Sequence, residues 1–449
     1  MTMEIIVMNR LGVALASDSA ASVEVVDHMK VYHADKLFML SQKNPVGIMV
    51  YNSASLLGVP WETILKMFRK QLGATTFASL EEYGDALIAY LDKNQKLFPQ
   101  KTQDEFYLNL VDALYIELER KMFNDFQEMF LTASNEDQDE NTLRKEIAKS
   151  SIADALSEWK DASEDSRIPT SVGETLAARL SPQIAENIKK WFSVWKLEQE
   201  ETQALIELAK LVVSKDKFVS DTVTGLVIAG FGEAEHLPVM QCYELGEIFD
   251  GRLKYRKLPA RKVDERTRSV VEAFADKRIV QGFLHGIDSS LAWKISEKVV
   301  YDVLALVQKI VGGIPRMSAK SRQQYLEVAI DEARKDLGSL LDNIETFKEE
   351  YVAPMHKSIE YMPKGELAQV AAFLVSLTSL HKRMSSEEQE TVAGPIDVAV
   401  ISKGDGFVWI QRKHYFRPEL NHHFFSNYGS GPGAVEVNKR DKTSEEDPN

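Results

Sequence analysis

Residues 4–51 contain four short apolar runs: EIIVM (4–8), GVALAS (12–17), DKLFML (35–40) and VGIMVY (46–51). Runs of this length, rich in Val and Ile and bounded by polar or Gly/Pro-containing turns, predict strands that are buried on both faces. Their hairpin-like spacing favours antiparallel pairing over parallel crossovers. This stretch therefore predicts that the fold begins with antiparallel sheet.

The rest of the chain alternates between helical and strand patterns. A helix is expected from Pro60 to Gly73, because Pro is tolerated in a first turn and Gly is preferred just beyond a last one. Helical, acidic sequence follows from about 75 to 215, strands return at 223–231 and 237–245, and a second helical stretch covers about 264–383. A hairpin is expected at IDVAVIS and FVWIQ, which flank an Asp-Gly turn. The order predicts an α+β protein with helices packed on sheets.

Composition narrows the class of protein. The 449 residues include 54 Lys and Arg against 68 Asp and Glu, a net charge of −14, and this acidity argues against a nucleic-acid partner. The single cysteine, Cys242, allows no intramolecular disulfide and fits a reducing compartment. No secretory signal and no apolar run near the ~18 residues of a membrane span is visible, so we expect a cytoplasmic protein without a membrane partner.

Common cofactor and metal motifs are missing from the sequence. Gly230-Phe231-Gly232 lacks the third glycine of a dinucleotide loop, and no phosphate-binding loop or H-E-x-x-H is present. His422 and His423 are adjacent but have no third ligand at a plausible spacing. We therefore expect neither a cofactor nor a metal ion, and an inert core position for Cys242.

The N-terminus suggests a nucleophile. Thr2 directly follows Met1, and removal of Met1 would leave a threonine whose own α-amine can act as the base for its hydroxyl. Asp18 ends the second predicted strand and Lys36 begins the third.

These three positions resemble those of proteasome β-subunits and HslV-type peptidases, the threonine-nucleophile branch of the N-terminal nucleophile (Ntn) hydrolases. In that family the nucleophile opens the first strand, an acidic residue ends the second, and a lysine precedes a Leu-Phe-like pair on the third. LVIAGFGE (226–233) and the closing ETVAGPIDVAVISKGDGFVWI (390–410) are also similar to family segments.

The resemblance implies an Ntn-like αββα four-layer sandwich of two antiparallel sheets. Its core would comprise residues 2–74, 222–258 and 366–426. Two helical insertions would occupy residues 75–221 and 259–365, and residues 427–449 would form a disordered tail.

The resemblance also implies a role for each residue. Thr2 would be the nucleophile, Lys36 would lower the proton affinity of the amine and hydroxyl, and Asp18 would hold Lys36 by a charge-assisted hydrogen bond. The backbone N–H of Tyr51, at the end of the fourth strand, would stabilise the oxyanion.

The implied function is amide-bond hydrolysis, with a peptide or protein as substrate. The family also implies a homo-oligomer that can serve an ATP-dependent unfoldase. Three alternatives remain: a catalytically inactive scaffold or interaction subunit, an Ntn amidase of small molecules, and a helical interaction module.

Overall fold

The computed structural model describes residues 3–25, 28–132, 139–219, 223–314, 318–385, 394–414 and 416–422. The chain divides into two compact units, Met1–Gln411 and Arg412–Asn449. All strands and α-helices named below lie in the first unit, and a short 3-10 helix, Pro418–Leu420, lies in the second.

The first half of the chain contains two small hairpins, the first sheet strands and seven helices within the described ranges. Their bounds are β1 Met3–Asn9, β2 Gly12–Ser17, β3 Ala20–Val25, β4 His28–His33, β5 Leu37–Met39, β6 Val46–Tyr51, β7 Ser55–Leu56, β8 Val59–Pro60, α1 Trp61–Leu72, α2 Leu80–Lys93, α3 Gln100–Thr132, α4 Glu140–Asp161, α5 Thr170–Arg179, α6 Ser181–Phe192 and α7 Gln199–Ser214.

The second half returns to the sheets and adds the longest helices. Its elements are β9 Thr224–Gly230, β10 Val239–Phe249, β11 Arg252–Lys257, β12 Arg261–Lys262, β13 Ser269–Ala275, α8 Arg278–His285, α9 Ser289–Gly313, α10 Ala319–Tyr361, α11 Lys364–Met384, β14 Asp397–Ser402 and β15 Gly406–Gln411.

Two antiparallel sheets form the centre of the first unit. The first has the order β13-β1-β2-β14-β15 and the second the order β11-β10-β9-β6-β5. Apolar side chains from one face of each sheet meet in a common cluster that includes Ile6, Leu15, Met49 and Val227. The two sheets therefore pack face to face.

Helices cover the outer faces of both sheets. α11 packs on β1, β2 and β14, where Leu367, Leu374 and Val375 join the cluster formed by that sheet's outer face. α1 and α2 cover the other sheet through a separate cluster that contains Trp61, Ile64 and Leu87. The layer order is helix, sheet, sheet, helix, and the expected α+β class with antiparallel sheets is confirmed.

Helices α3 to α7 form what we call the first helical region. It encloses an apolar cluster of its own, centred on residues such as Tyr115, Trp195 and Leu208. Helices α9 and α10 pack side by side and form what we call the helical hairpin. The Asn9 side chain ties the base of this hairpin to β1 by donating to the carbonyls of Ile359 (2.8 Å) and Met362 (2.9 Å).

Several local expectations are confirmed and one is wrong. Helix α1 begins after Pro60 and ends before Gly73, whose φ of 56° suits glycine. β14 and β15 form the expected hairpin. The helical stretch expected from about 264 is wrong in its first part, because Ser269–Ala275 is strand β13. This strand pairs with β1, and that long-range pairing is invisible to a local pattern. The expected disordered tail, 427–449, lies outside the described residues.

Candidate active site

Asp18 connects the beginning of β1 with the end of β2. It follows Ser17, the last residue of β2, and only 1% of it is exposed. Its Oδ1 accepts the backbone N–H of Met3 at 3.0 Å, and its Oδ2 accepts that of Ala20 at 3.0 Å. Its own N–H donates to the Met3 carbonyl at 3.1 Å. The carboxylate therefore fixes the first described residue of the chain.

Lys36 supplies the positive charge for this carboxylate. Its Nζ lies 2.7 Å from Asp18 Oδ1, and the ion pair is buried. The Lys36 carbonyl accepts the Val50 N–H at 2.9 Å, which anchors its backbone to β6. Because a buried charge is costly unless it is paired and hydrogen-bonded, the two residues depend on each other. The structure thus brings Asp18 and Lys36 together. Thr2, the expected nucleophile, lies outside the described residues.

The segment just before β14 lies beside Asp18 and its neighbour Ser19. Ser19 Oγ donates to the Pro395 carbonyl. Gly394 has a φ of 83°, and a Cβ there would come within 2.6 Å of the His33 ring. A larger residue at position 394 would therefore disturb both the backbone and this contact. The sheet-closing hairpin β14–β15 thus enters next to Asp18.

A row of buried polar residues lines the same end of the gap between the sheets. Glu4 pairs with Ser17, and Ser17 pairs with Asp397, in the register of β1, β2 and β14. By alternation with Ile6, Leu15 and Ala399, these side chains are directed at the facing sheet. Sequence analysis missed this row, although the charged residues inside apolar strand patterns were a signal for it.

Tyr51 stands at the end of β6, and its side chain serves packing. Its ring stacks on Phe274, with centroids 5.5 Å apart, and occupies the space that a side chain at Gly225 would fill. Burial raises the pKa of Tyr51 far above the usual value for tyrosine, and the Cys242 thiol and nearby carboxylates add to this rise. The phenol is therefore a neutral group at ordinary pH.

The backbone at the end of β6 bears on the role predicted for the Tyr51 amide. The Val50 N–H points toward β5 and donates to the carbonyl of Lys36, the residue just before that strand. Successive amides of a strand point in opposite directions, so the Tyr51 N–H is directed to β9, where Tyr51 pairs with Gly225. The next residue, Asn52, lies just beyond β6. Asn52 has a φ of 70°, a left-handed conformation that Asn tolerates better than most residues.

A second buried acid–lysine pair lies at the same sheet end. Ala275 pairs with Met3, and the following residue, Asp276, is 2.7 Å from Lys382 Nζ. Burial raises the pKa of Asp276, but the hydrogen bonds from Lys382 and Arg278 outweigh it, and the net effect is a lowered pKa. The sequence reading missed this pair because Lys382 reaches it from α11, 106 residues further along the chain.

Other chemistries find less support in the described residues. Burial raises the pKa of Cys242 to about 12, which keeps its thiol protonated and agrees with the expected core position. No group of three or more His, Cys, Asp or Glu side chains is placed to hold a metal ion within the described ranges. In those same ranges, none of the helices combines the length and apolarity that crossing a membrane requires.

Comparison with known proteins gives only a weak likeness. No protein-family model and no curated protein matches this chain. One similar solved structure is the Anbu (Gly-1) mutant from Hyphomicrobium sp. strain MC1, with 9% identity, a TM-score of 0.25 and coverage of 97% of this chain and 98% of that chain. Another is the helical assembly of the Anbu complex from Pseudomonas aeruginosa, with 6% identity, a TM-score of 0.23 and coverage of 95% and 93%. Superpositions at this level carry no argument about function and are compatible at most with a distant relation to the proteasome fold.

The expected identification with proteasome β-subunits and HslV-type peptidases is therefore wrong. No model of either family matches, and the two similar structures reported above are Anbu proteins. Part of the resemblance rested on Asp18 at the end of one strand and Lys36 just before another, besides Thr2 and two similar segments. Any antiparallel core that buries a carboxylate needs such a partner, so these residues do not distinguish one family from another.

Proposed function

We propose that this chain is an amide-bond hydrolase of the Ntn type, with Thr2 as the nucleophile after removal of Met1. The observation that carries the proposal is the buried Asp18–Lys36 pair, whose carboxylate also binds the N–H of Met3. Residue 2 is joined directly to that N–H, so the pair holds a cation close to the predicted nucleophile. The helix–sheet–sheet–helix order supports an Ntn-type core. Because α2 covers one sheet and β13 pairs with β1, we assign both to this core, and the insertions that we propose are the other helical parts of residues 75–221 and 259–365.

In the proposed reaction, Thr2 Oγ attacks the carbonyl carbon of the amide. The hydroxyl proton passes to the free α-amine, through a water molecule, and then to the leaving nitrogen as the C–N bond breaks. Water hydrolyses the resulting ester and restores the hydroxyl. Lys36 favours less positive neighbours and so keeps the amine in its basic form. Asp18 positions Lys36 and does not touch the substrate.

The end of β6 supplies the oxyanion donor in this proposal. Tyr51 was predicted for the role, but its amide is directed at β9, so we assign the role to the N–H of Asn52, which follows it. Asn52 directly follows the last residue of β6, so its amide is attached to a fixed strand end. A donor that is fixed before charge develops is what transition-state stabilisation requires.

Peptides or proteins are the proposed substrates. A homo-oligomer and an ATP-dependent unfoldase remain part of the proposal. One observation favours the inactive scaffold as a second candidate. The Asp18 carboxylate already accepts from Met3, Ala20 and Lys36, and such a cluster also serves simply to fix three chain segments.

The decisive experiment is covalent labelling of cell-derived protein with a threonine-directed epoxyketone, followed by mass spectrometry of the intact chain and its N-terminal peptide. We expect loss of Met1, one label on Thr2 and no label on Thr2→Ala. Thr2→Ser is the matched control, because it keeps a hydroxyl nucleophile and should still react. Retained Met1, or a well-folded protein that takes no label, would favour the scaffold.

A test of the role of the Asp18–Lys36 ion pair in catalysis requires a variant that stays folded. Removal of one partner alone leaves a buried charge and typically costs about 3–5 kcal/mol of stability. The double variant Asp18→Asn/Lys36→Met replaces both charges with neutral groups and should stay folded by circular dichroism. We expect its amide-hydrolysis rate to fall at least a hundredfold, and near-native turnover would contradict the role of Lys36.

A further inference from the structure

Helix α9 carries a continuous apolar stripe on its exposed surface. Five residues of α9 and Ile314, which directly follows the helix, form this stripe. They are 38–57% exposed and are spaced four, four, three, four and four residues apart: Ile295, Val299, Val303, Leu306, Ile310 and Ile314. Residues at these spacings lie on one side of a helix, and at 1.5 Å per residue the stripe is about 28 Å long. Single exposed apolar side chains are ordinary, but a continuous row of them marks an interaction surface.

The stripe adjoins the side of α9 that the rest of the chain buries. Ala292, Ser296 and Val311 are the buried residues of α9 among those described. Ala292 continues the line of the stripe toward the start of the helix, whereas Ser296 and Val311 lie on its flank. The last part of α9, residues 303–313, contains one charged residue, Lys309. An exposed helix surface with so little charge needs a covering partner.

We propose that this stripe is a two-fold interface with a second copy of the chain. The spacing of the stripe reads the same in both directions. In an antiparallel pair of α9 helices, Val303 is therefore level with Leu306 of the second copy, and Val299 is level with Ile310. Every member meets an apolar partner, which is the self-complementarity that an isologous contact requires.

The charges beside the stripe fit the same arrangement. Asp302 and Lys309 are both exposed and flank the stripe on the same side of α9. In an antiparallel pair the same flank of each helix meets itself, and Lys309 comes within two residues, about 3 Å along the axis, of the level of Asp302 on the second copy. Opposite charges thus approach each other twice, once on each side of the two-fold axis.

The area that a stable dimer needs indicates that α10 also takes part. Two helices about 10 Å wide that touch over 28 Å bury on the order of 600 Å², roughly half of what a specific interface requires. Tyr325 and Val328, near the start of α10, are three residues apart on one side of that helix and are 59% and 57% exposed. Their inclusion makes the interface a bundle of two helical hairpins, with a total area of about 1,200 Å².

The first test is the oligomeric state of the full chain by light scattering. We expect the wild type to have at least twice the mass of one chain, and Leu306→Glu to halve the observed mass or weaken self-association at least tenfold. Tyr301→Glu is the matched control, because Tyr301 is exposed on the opposite side of α9 and should leave the mass unchanged. Circular dichroism of each variant checks that the helices remain folded.

The second test is oxidative cross-linking, which reports register. Cys242 is buried, so engineered cysteines dominate the reaction. Val299→Cys/Ile310→Cys should give a covalent dimer, whereas Ile310→Cys alone should not, because Ile310 is far from its own image in an antiparallel pair. A monomeric wild type, an unchanged mass for folded Leu306→Glu, or cross-linking of the single variant would each overturn the proposal.

Discussion

The two helical parts of this molecule differ in how far they bury their apolar side chains. In the first helical region, α3 to α7 enclose a cluster of fully buried side chains, among them Tyr115, Trp195 and Leu208. In the helical hairpin, Leu306, Ile310 and Tyr325 are more than half exposed. Several helices can surround a common core, whereas two helices have one shared seam and leave their outer sides to solvent.

This comparison shows that helical periodicity does not reveal what an apolar stripe will contact. The first helical region buries its stripes within the chain, and its stability should depend on them. The hairpin carries a stripe whose burial requires another molecule, so the same substitution should matter there for association and not for folding. The four predictions below test this contrast, in order of expected effect.

The largest effect is expected in the core of the first helical region. Leu208→Ala removes a side chain that is completely buried, and the lost transfer energy plus the cavity should lower the free energy of unfolding by about 2–5 kcal/mol. Chemical denaturation measures the change. A loss below about 1 kcal/mol would mean that this region packs loosely and would remove the contrast with the hairpin.

Buried ionisable residues between the first helical region and the sheets should make the free energy of unfolding depend on pH. Burial raises the pKa of Glu247 to about 7 and lowers the pKa of Lys254 to about 8. Lys254 Nζ donates to the carbonyls of Val212 (2.8 Å) and Lys217 (2.7 Å), so it joins β11 to the end of α7 and the segment after it.

The sign of the effect follows from which state binds the proton. Between pH 4.5 and 7 the native chain holds the Glu247 proton more tightly than the unfolded chain, so stability should fall as pH rises, by on the order of 2–3 kcal/mol. Above pH 8 the native chain releases the Lys254 proton first, so stability should rise again until about pH 9, where the raised pKa of Cys242 begins to oppose the rise. Urea denaturation at pH 5, 7 and 9.5 should show the minimum.

Two variants assign the fall in stability between pH 5 and 7 to its residue. Glu247→Gln should abolish the fall between pH 5 and 7, while Glu244→Gln, on the same strand, should keep it. If Glu247→Gln and the wild type give parallel profiles, Glu247 is not the group responsible.

A smaller effect is expected from a single buried hydroxyl. The Tyr115 O–H donates to the Leu205 carbonyl at 2.9 Å, inside the first helical region. Tyr115→Phe leaves that carbonyl without this donor and should cost about 1–2 kcal/mol in thermal or chemical unfolding. Tyr301→Phe, on the exposed surface of α9, is the matched control and should change stability by less than about 0.5 kcal/mol. Equal losses of stability in these two variants would contradict the contrast between the first helical region and the helical hairpin.

The smallest effect on folding is expected from the hairpin stripe. Leu306→Ala should change the free energy of unfolding by less than about 0.5 kcal/mol when measured at concentrations where the chain is monomeric. The same variant should weaken self-association at higher concentration. A loss of 2 kcal/mol or more in the monomer would show that the stripe is buried within a single chain.

Part of the site could be predicted from the sequence. Asp18 and Lys36 were identified from their places at strand ends, and the structure brings them within 2.7 Å. The direction of the Tyr51 amide could not be predicted, because it depends on which neighbour each strand pairs with. The Asp276–Lys382 pair was equally inaccessible, since a strand and a helix far apart in sequence meet there.

The sequence by itself determined the elements and the class of fold. Short runs such as EIIVM and GVALAS become strands because β-branched residues suit a pleated, buried backbone, and Pro60 and Gly73 set the ends of α1 through their own backbone limits. The tertiary structure decided which elements pair, and so placed β13 beside β1 and directed the Tyr51 amide to β9. It also decided that the α3–α7 stripes are buried and the α9 stripe is exposed. Whether a side chain is buried depends on which residues lie next to it in space, and the spacing of residues along the chain does not specify those neighbours.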